Sequence, residues 1–504
     1  QGGMASIAAR DAAGPVRRPP TRRVPRGLAL PAVAVICGAA LGAVLLGRPL
    51  PYPVYVGLAG LIPVAALVLA GGARAAAVTG ALVYGGVLAW VYRTQFVPLF
   101  AYQGLIDARP DEASLLVVVV LAAVPAAWLP VSASRPSSIV LWSLYVVGFV
   151  PAIVIPIFLA RDLEAVLPLA LTLLGAMAIL RTISGVPSVP IMRDQHLSPV
   201  LFTRLVTTLS LATSVYVVVS FGLHALPSLG DVYTARTAFG SAIGGGAWPA
   251  GYVVPWAGNA VNPLLMALGL SRRRADLFAV GLVGQLLIYS DTGFKSVLFS
   301  TALLPLVYLA IAVARRSYGI VVVATIPIVL VLATIGNAAT ANWSLTLVRR
   351  QFATPGQLNW YYFDFFGDHS RYHLSASFLR AFFSRPYSSE PADLIGQVYL
   401  PAEHPHANAG VWADAFANFG FGGIAVFTVV LGIVLWVLDG LSWRRDVRLI
   451  GPMLAIAGLT LSEGALFTSL LSLGLGVACA LIALAPPAPG GDDPMQARPD
   501  GAIR

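Results

Sequence analysis

Residues 318–336 read Tyr-Gly-Ile-Val-Val-Val-Ala-Thr-Ile-Pro-Ile-Val-Leu-Val-Leu-Ala-Thr-Ile-Gly and contain no charged side chain. A helix of about 20 apolar residues spans the ~30 Å hydrocarbon core of a bilayer. Comparable runs recur along the chain, whose 504 residues are 58% hydrophobic and 11% charged. A soluble domain has about 25% charged residues. The sequence therefore predicts an all-α, polytopic integral membrane protein.

The apolar runs predict about fourteen transmembrane helices. These are residues 29–47, 51–70, 75–94, 114–132, 138–159, 164–181, 204–223, 250–269, 275–290, 296–314, 318–336, 421–438, 449–467 and 469–486. They divide the chain into a basic tail, eleven helices, one large loop, three helices and a second tail, which are residues 1–28, 29–336, 337–420, 421–486 and 487–504. Both tails have a composition typical of disorder.

Basic residues indicate which side of the membrane each loop occupies. They lie before the first predicted helix and in alternate loops, at Arg17, Arg18, Arg22, Arg23, Arg26, Arg74, Arg135, Arg181, Arg193, Arg204, Arg272, Arg273, Arg274, Arg315, Arg316, Arg444, Arg445 and Arg448. Because loops rich in arginine and lysine face the cytoplasm, both termini are predicted to be cytoplasmic. The extracytoplasmic loops are then 95–113, 224–249, 290–295 and 337–420. We expect a multi-pass location in the cytoplasmic membrane.

The net charge of +10 fits this topology signal and contact with anionic lipid, so it does not call for a nucleic-acid partner. No GxxxxGK[ST] motif is present, which argues against an ATP-driven mechanism within the chain. Cys37 and Cys479 lie in separate apolar runs, and we interpret both as buried apolar residues. The sequence calls for no cofactor and no metal.

The loop 337–420 concentrates the polar chemistry of the chain. It contains four of the six histidines and the arginines 349, 350, 371, 380 and 385. We interpret His369 and His373 as structural or surface residues. Since the remaining residues mostly cross the bilayer, this loop is the predicted catalytic segment.

Two further cations lie at the other extracytoplasmic loops. Lys295 is the only lysine and lies at the predicted outer end of a helix. It either snorkels to the interface or binds phosphate as a point charge, with Asp291 four residues away as a potential partner. Arg236 either pairs with Asp231 or binds the same phosphate.

Arg349 and Arg350 open the large loop and are followed by aromatic residues. Arginine forks bind diphosphate oxygens, and aromatic faces pack on sugar rings. A surface-lying amphipathic helix would have a similar composition. We predict diphosphate binding by Lys295, Arg236, Arg349 and Arg350, and sugar binding by Trp343, Trp360, Tyr361 and Tyr362.

His404 and His406 lie near the end of the loop. Histidine titrates near neutral pH and is the commonest general base, so both are predicted catalytic residues, and the choice between them stays open. The alternative is a metal site, for which only Glu403 and Asp414 are near in sequence as further ligands.

In combination these residues resemble the Wzy-type O-antigen or oligosaccharide repeat-unit polymerases and, more distantly, the O-antigen ligases. The resemblance rests on four patterns in order along the chain, which are Tyr233-x-x-Arg236, Thr292-Gly-Phe-Lys295-Ser, Arg349-Arg350, and the stretch from His404 to Gly423. In the ligases the spacing from histidine to helix glycine is shorter than the thirteen residues that separate His406 from Gly420.

The resemblance implies metal-independent transfer of a glycan from undecaprenyl diphosphate to an acceptor sugar hydroxyl, on the outer face of the membrane. Attack opposite the diphosphate would invert the anomeric centre. Partners would be the lipid-linked donor and acceptor and membrane lipids, and the need for a chain-length-regulating co-polymerase stays open. A ligase would use the same donor. A flippase for lipid-linked oligosaccharide would also need many helices, and a non-catalytic scaffold would have little use for clustered cations.

Overall fold

The computed structural model describes residues 72–160, 162–192, 195–228, 231–246, 249–340, 342–400 and 406–488. The predicted helices 29–47 and 51–70, the tail 1–28, His404 and residues 489–504 lie outside this part of the chain. Within it, every regular element is helical and no strand occurs.

The first half of the described chain forms eleven α-helices. In chain order they are α1 (Ala73–Val91), α2 (Val97–Phe100), α3 (Glu112–Ala123), α4 (Pro136–Leu144), α5 (Val150–Val154), α6 (Pro156–Leu159), α7 (Leu163–Gly185), α8 (Pro199–Phe221), α9 (Val232–Gly244), α10 (Ala250–Trp256) and α11 (Asn262–Arg272).

The second half forms ten more. They are α12 (Ala275–Thr292), α13 (Lys295–Ala314), α14 (Tyr318–Ile335), α15 (Trp343–Phe352), α16 (Thr354–Asp368), α17 (Pro391–Tyr399), α18 (Val411–Leu441), α19 (Val447–Glu463), α20 (Leu466–Leu471) and α21 (Leu475–Leu484). Three π-helical turns join neighbouring helices, at Tyr92–Phe96, Tyr145–Phe149 and Ala257–Val261.

Among the described residues, eight helical stretches are long and apolar enough to cross a membrane. They are Ala73–Gln103, Pro136–Leu159, Leu163–Gly185, Pro199–Phe221, Ala250–Arg272, Lys295–Ile335, Val411–Leu441 and Leu466–Leu484. The prediction of an all-α protein with several membrane-spanning helices is thus confirmed for the described residues. The count of fourteen stays a prediction.

The stretch Pro136–Leu159 is the centre of the bundle, and all residues of its apolar window are buried. A helix that is apolar on every face is stable when other helices surround it. Tyrosine hydroxyls in this core donate hydrogen bonds to backbone carbonyls, because a polar group left unpaired there would cost free energy. The Tyr145 hydroxyl donates to the Ala122 carbonyl at 2.8 Å, and the Tyr84 hydroxyl donates to the Val146 carbonyl at 2.6 Å.

The helix α12 ends where α13 begins, and this break defines one end of the bundle, which we call the site end. The opposite end is where α13 stops and Arg315–Ser317 turns the chain into α14. Arginines at that opposite end bind helix-terminal carbonyls. Arg135 donates to the Ser184 carbonyl at 2.8 Å, and Arg445 donates to the Ala483 carbonyl at 3.0 Å. Cations stabilise a helix C-terminus in this way.

Candidate functional site

The break between α12 and α13 requires a glycine. Gly293 has a φ of +60°, and a Cβ at this position would lie 2.6 Å from the Val232 carbonyl oxygen. Only glycine meets both conditions without strain. Asp291 and Lys295 therefore belong to different helices, and the four-residue pairing expected within one helix does not describe them.

The helix α9 lies across this break. Val232, at its start, packs on Gly293, and Arg236 follows one helical turn later. The Arg236 guanidinium carbon lies 5.6 Å from the centre of the Phe294 ring. The close approach that glycine permits thus places Arg236 beside the residue that precedes Lys295.

Lys295 faces the start of the large loop. Its ammonium nitrogen lies 5.7 Å from the centre of the Trp343 ring, a cation–π distance. The charges of Arg236, Arg349 and Arg350 all act on this ammonium. The four predicted diphosphate-binding residues, together with Trp343, therefore lie in one region at the site end. We call Lys295, Arg236, Arg349 and Arg350 the cation cluster.

Arg349 lies on the buried face of the amphipathic helix α15. Its side chain is 8% exposed, and its guanidinium carbon is 4.8 Å from the centre of the Phe100 ring. Its Nη1 lies 3.5 Å from the Thr354 hydroxyl. Burial among an aromatic ring and a hydroxyl fixes the position of this charge.

Arg350 is held by a carboxylate that the sequence reasoning missed. Its Nη2 lies 3.5 Å from Glu463 Oε2, and Gln351 Nε2 donates to Glu463 Oε1 at 3.2 Å. Glu463 is the only acidic residue between Asp446 and Asp492. An isolated carboxylate in an apolar stretch marks a functional position by default, and this signal was available in the sequence.

The three aromatic residues predicted to bind sugar on α16 pack inside the protein. Trp360, Tyr361 and Tyr362 are 7%, 6% and 3% exposed. The Tyr361 hydroxyl donates to the Gly104 carbonyl at 2.8 Å, and the Tyr362 hydroxyl donates to the Ala407 carbonyl at 3.1 Å. The first contact ties the large loop to the loop 95–113, and the second ties two distant parts of the large loop together. Trp343, beside Lys295, is the aromatic residue of the predicted set that adjoins the cation cluster.

His406 pairs with a carboxylate of α17. Its Nδ1 lies 2.7 Å from Asp393 Oδ1, and the two side chains are 73% and 35% exposed. An ionised carboxylate only accepts, so Nδ1 donates and Nε2 remains as an acceptor. Asp393 is a second residue that the sequence reasoning missed. Within the described residues, no group of three or more His, Cys, Asp or Glu side chains forms a metal-binding cluster.

The end of α19 contacts the chain that follows His406. Gly410, four residues after His406, packs so closely on α19 that a Cβ would lie 2.6 Å from the Ser462 carbonyl oxygen. The residue after Ser462 is Glu463, which pairs with Arg350. The chain from His406 into α18 therefore runs past the carboxylate that holds one member of the cation cluster.

The middle of the large loop builds a small aromatic core. The His369 ring packs parallel to Phe365 at 4.2 Å between ring centres, and His369 Nδ1 lies 2.8 Å from the Phe365 carbonyl oxygen. Tyr372 and Tyr387 pack at 5.3 Å, and each hydroxyl donates to a backbone carbonyl of the same segment. His369 is exposed and packs on the edge of this core.

Tyr399 contacts a carboxylate and a second tyrosine ring. The Tyr399 hydroxyl donates to the Asp364 carboxylate, and the Tyr399 ring packs on Tyr361 at 4.3 Å. Burial, and then the hydrogen bond to the carboxylate, raise the pKa of Tyr399 well above its usual value. This hydroxyl remains protonated and acts as a fixed donor.

The loop rejoins the membrane helices at a broken turn in α18. Gly420 has φ of 61° and ψ of −146°, inside the bounds of the helix. A Cβ at Gly420 would lie 2.9 Å from the guanidinium carbon of Arg371, whose charge lies 5.6 Å from the centre of the Phe416 ring. Gly420, the glycine expected at the helix after the histidines, therefore lies at a kink in α18. The guanidinium of the loop residue Arg371 packs against it.

A second histidine–carboxylate pair lies at the α12–α13 break. His224 Nδ1 lies 2.7 Å from Asp291 Oδ1. His224 lies in the loop after α8, and neither its sequence position nor its neighbours indicated this contact. The pairing depends on α8 and α12 ending side by side.

Comparisons with family models, with curated proteins and with solved structures gave no match.

Proposed function

We propose that this protein is a membrane glycosyltransferase that polymerises lipid-linked oligosaccharide repeat units. It moves a glycan from undecaprenyl diphosphate to a hydroxyl of an acceptor sugar, on the outer face of the bacterial cytoplasmic membrane. The observation that carries this proposal is the cation cluster, in which three elements of the chain bring Lys295, Arg236, Arg349 and Arg350 together.

The cation cluster matches the charge of a diphosphate. Two phosphate groups present several anionic oxygens, which arginine forks and a lysine ammonium bind with charge-assisted hydrogen bonds. Four cations at one place repel one another, and a bound diphosphate relieves that repulsion. The same charges stabilise the negative charge that develops on the diphosphate as its bond to the sugar breaks.

A histidine accepts the proton of the attacking hydroxyl in this proposal. The sequence predicts His406 for this role, and in the structure Asp393 orients its ring through Nδ1. His404, the other histidine predicted from the sequence, lies outside the described residues. No nucleotide is needed in this reaction, since cleavage of the glycosyl–diphosphate bond supplies the driving force.

The distribution of arginine supports an extracytoplasmic site. The cation cluster lies at the site end, whereas Arg135, Arg315 and Arg445 lie at the opposite end. If the arginine-rich loops face the cytoplasm, the site end faces outward. The lipid-linked donor then reaches the cation cluster from the outer leaflet.

Purified protein in lipid bilayers, supplied with undecaprenyl-diphosphate-linked oligosaccharide, tests the proposal. A ladder of lengthened glycans is expected from the wild type and from Arg316→Ala, which removes a charge at the opposite end. Lys295→Ala and Arg349→Ala should each abolish the ladder. A single transfer to another lipid, without a ladder, would favour a ligase, and movement of intact donor across the bilayer would favour a flippase.

A further inference from the structure

The His224–Asp291 pair combines a buried carboxylate with an accessible imidazole. His224 Nδ1 lies 2.7 Å from Asp291 Oδ1, and the side chains are 59% and 4% exposed, respectively. The carboxylate only accepts hydrogen bonds, so Nδ1 must donate to it. The other ring nitrogen, Nε2, then has a free lone pair and belongs to the exposed part of the pair. This is the arrangement by which a buried carboxylate orients a histidine base.

The position of Asp291 needs compensation by a partner. It lies in the last turn of α12, where the helix dipole disfavours a negative charge. The imidazole of His224 supplies a hydrogen-bond donor to it, and the Ser290 hydroxyl lies 3.4 Å from its second oxygen. Asp291 therefore does not stabilise its own helix. Its two hydrogen-bond partners fit a role in positioning the imidazole of His224.

The pair adjoins the cation cluster. Asp291 ends α12, Lys295 begins α13, and the break between them packs on α9, which bears Arg236. The charged groups on the elements around His224 are therefore Asp291, Lys295, Arg236 and Asp231. A diphosphate held by Lys295 and Arg236 would place its sugar at this same break.

By comparison, the His406–Asp393 pair is more solvated. Asp393 is 35% exposed, whereas Asp291 is 4% exposed. A buried carboxylate restricts the ring more strongly than one that water also solvates, because fewer competing partners reach it. Of the two pairs, His224–Asp291 is the better oriented and the nearer in sequence to Lys295.

We infer that His224, positioned by Asp291, is the proton acceptor for the acceptor sugar at the cation cluster. This inference rests on the proposed function. The hydroxyl oxygen of the acceptor bonds to the anomeric carbon of the donor, and its proton moves to His224 Nε2. The bond from that carbon to the diphosphate oxygen breaks, and its electron pair leaves with the lipid diphosphate. The imidazolium then releases the proton to water.

Turnover by His224→Ala and His224→Gln tests the inference, with inorganic pyrophosphate binding measured in parallel. Loss of a general base lowers turnover by about 100-fold or more, whereas pyrophosphate binding should stay at the wild-type level. His196→Ala is the matched control, because His196 is an exposed histidine before α8, at the opposite end. It should turn over as the wild type does.

Chemical rescue separates a base from a structural histidine. Added imidazole should restore turnover to His224→Ala and leave Lys295→Ala inactive. Asp291→Asn should lower kcat and leave KM unchanged, as expected for a positioning residue.

Full turnover by the His224 variants, or loss that imidazole does not restore, would overturn the inference. If the His224 variants turn over fully but Lys295→Ala makes no glycan ladder, the proposed function stays in place and only the role of His224 is overturned. If instead the wild type makes no ladder while pyrophosphate still binds at Lys295, the proposed function fails on its own.

Discussion

The ammonium of Lys295 lies 5.7 Å from the centre of the Trp343 ring. The contact joins the start of α13, which belongs to a membrane-spanning stretch, to the first residue of α15 in the large loop. Contacts of this kind are worth about 0.5–2 kcal/mol, depending on desolvation. The only lysine of the chain is therefore held against the loop, and the loop arginines 349 and 350 add their charges to it.

Pyrophosphate should raise the thermal stability of the wild-type protein, because it binds the folded cation cluster and not the unfolded chain. At a concentration of about 100 times Kd the gain is about 2.7 kcal/mol, and salt should reduce it. The shift in Tm should be absent in Lys295→Ala and intact in Arg316→Ala. An equal shift in both variants would place the anion site elsewhere.

Glu463→Gln should weaken the fold and strengthen anion binding. The substitution removes the charge that partners Arg350, and pairs at such partly exposed sites contribute about 1 kcal/mol or less. It also raises the net positive charge of the cation cluster, so Kd for pyrophosphate should fall. Asp276→Asn removes the partner of Arg274 at the opposite end and is the matched control. Unchanged pyrophosphate affinity in Glu463→Gln would separate Glu463 from the anion site.

Much of the helical framework could be predicted, because apolar length alone specifies a membrane-spanning helix. The run 318–336 corresponds to the helix Tyr318–Ile335. The run 421–438 corresponds to a helix that starts earlier, at Val411. Its first turns include Asp414, whose carboxylate accepts from Asn418 at 3.1 Å. Hydropathy does not reveal a polar turn whose side chains satisfy one another.

The sequence predicts one shared side of the membrane for Lys295, Arg236, Arg349 and Arg350, and the structure places the four residues in one region. The sequence did not predict the partners of these residues, since the partners come from distant parts of the chain. Glu463 reaches Arg350 across 113 positions, and Asp291 reaches His224 across 67. No local periodicity encodes such pairs. They depend on which helix ends lie side by side, which the packing of the bundle decides.

Gly420→Ala should destabilise the protein by about 1–3 kcal/mol, because its backbone conformation is one that residues with a Cβ rarely adopt. The added Cβ would also lie 2.9 Å from the Arg371 guanidinium carbon and displace it. Gly367→Ala is the matched control, since a Cβ there meets nothing within 4 Å on an exposed turn of α16. That variant should be neutral or more stable by about 0.5–1 kcal/mol. Unfolding in denaturant measures both, and equal stabilities would contradict the kink at Gly420.

Tyr399→Phe should reduce the loss of stability at alkaline pH. Burial and the hydrogen bond to Asp364 raise the pKa of Tyr399, so the folded state holds this proton more tightly than the unfolded chain does. The resulting stability is complete below the unfolded pKa of about 10 and is lost as the pH rises above it. The fall in Tm between pH about 8 and about 11 should therefore be smaller in Tyr399→Phe than in the wild type. Tyr102→Phe, which removes the hydroxyl of a ring that is 61% exposed, should keep the wild-type fall. A fall in Tyr399→Phe as large as that of the wild type would show that the folded state does not retain this proton.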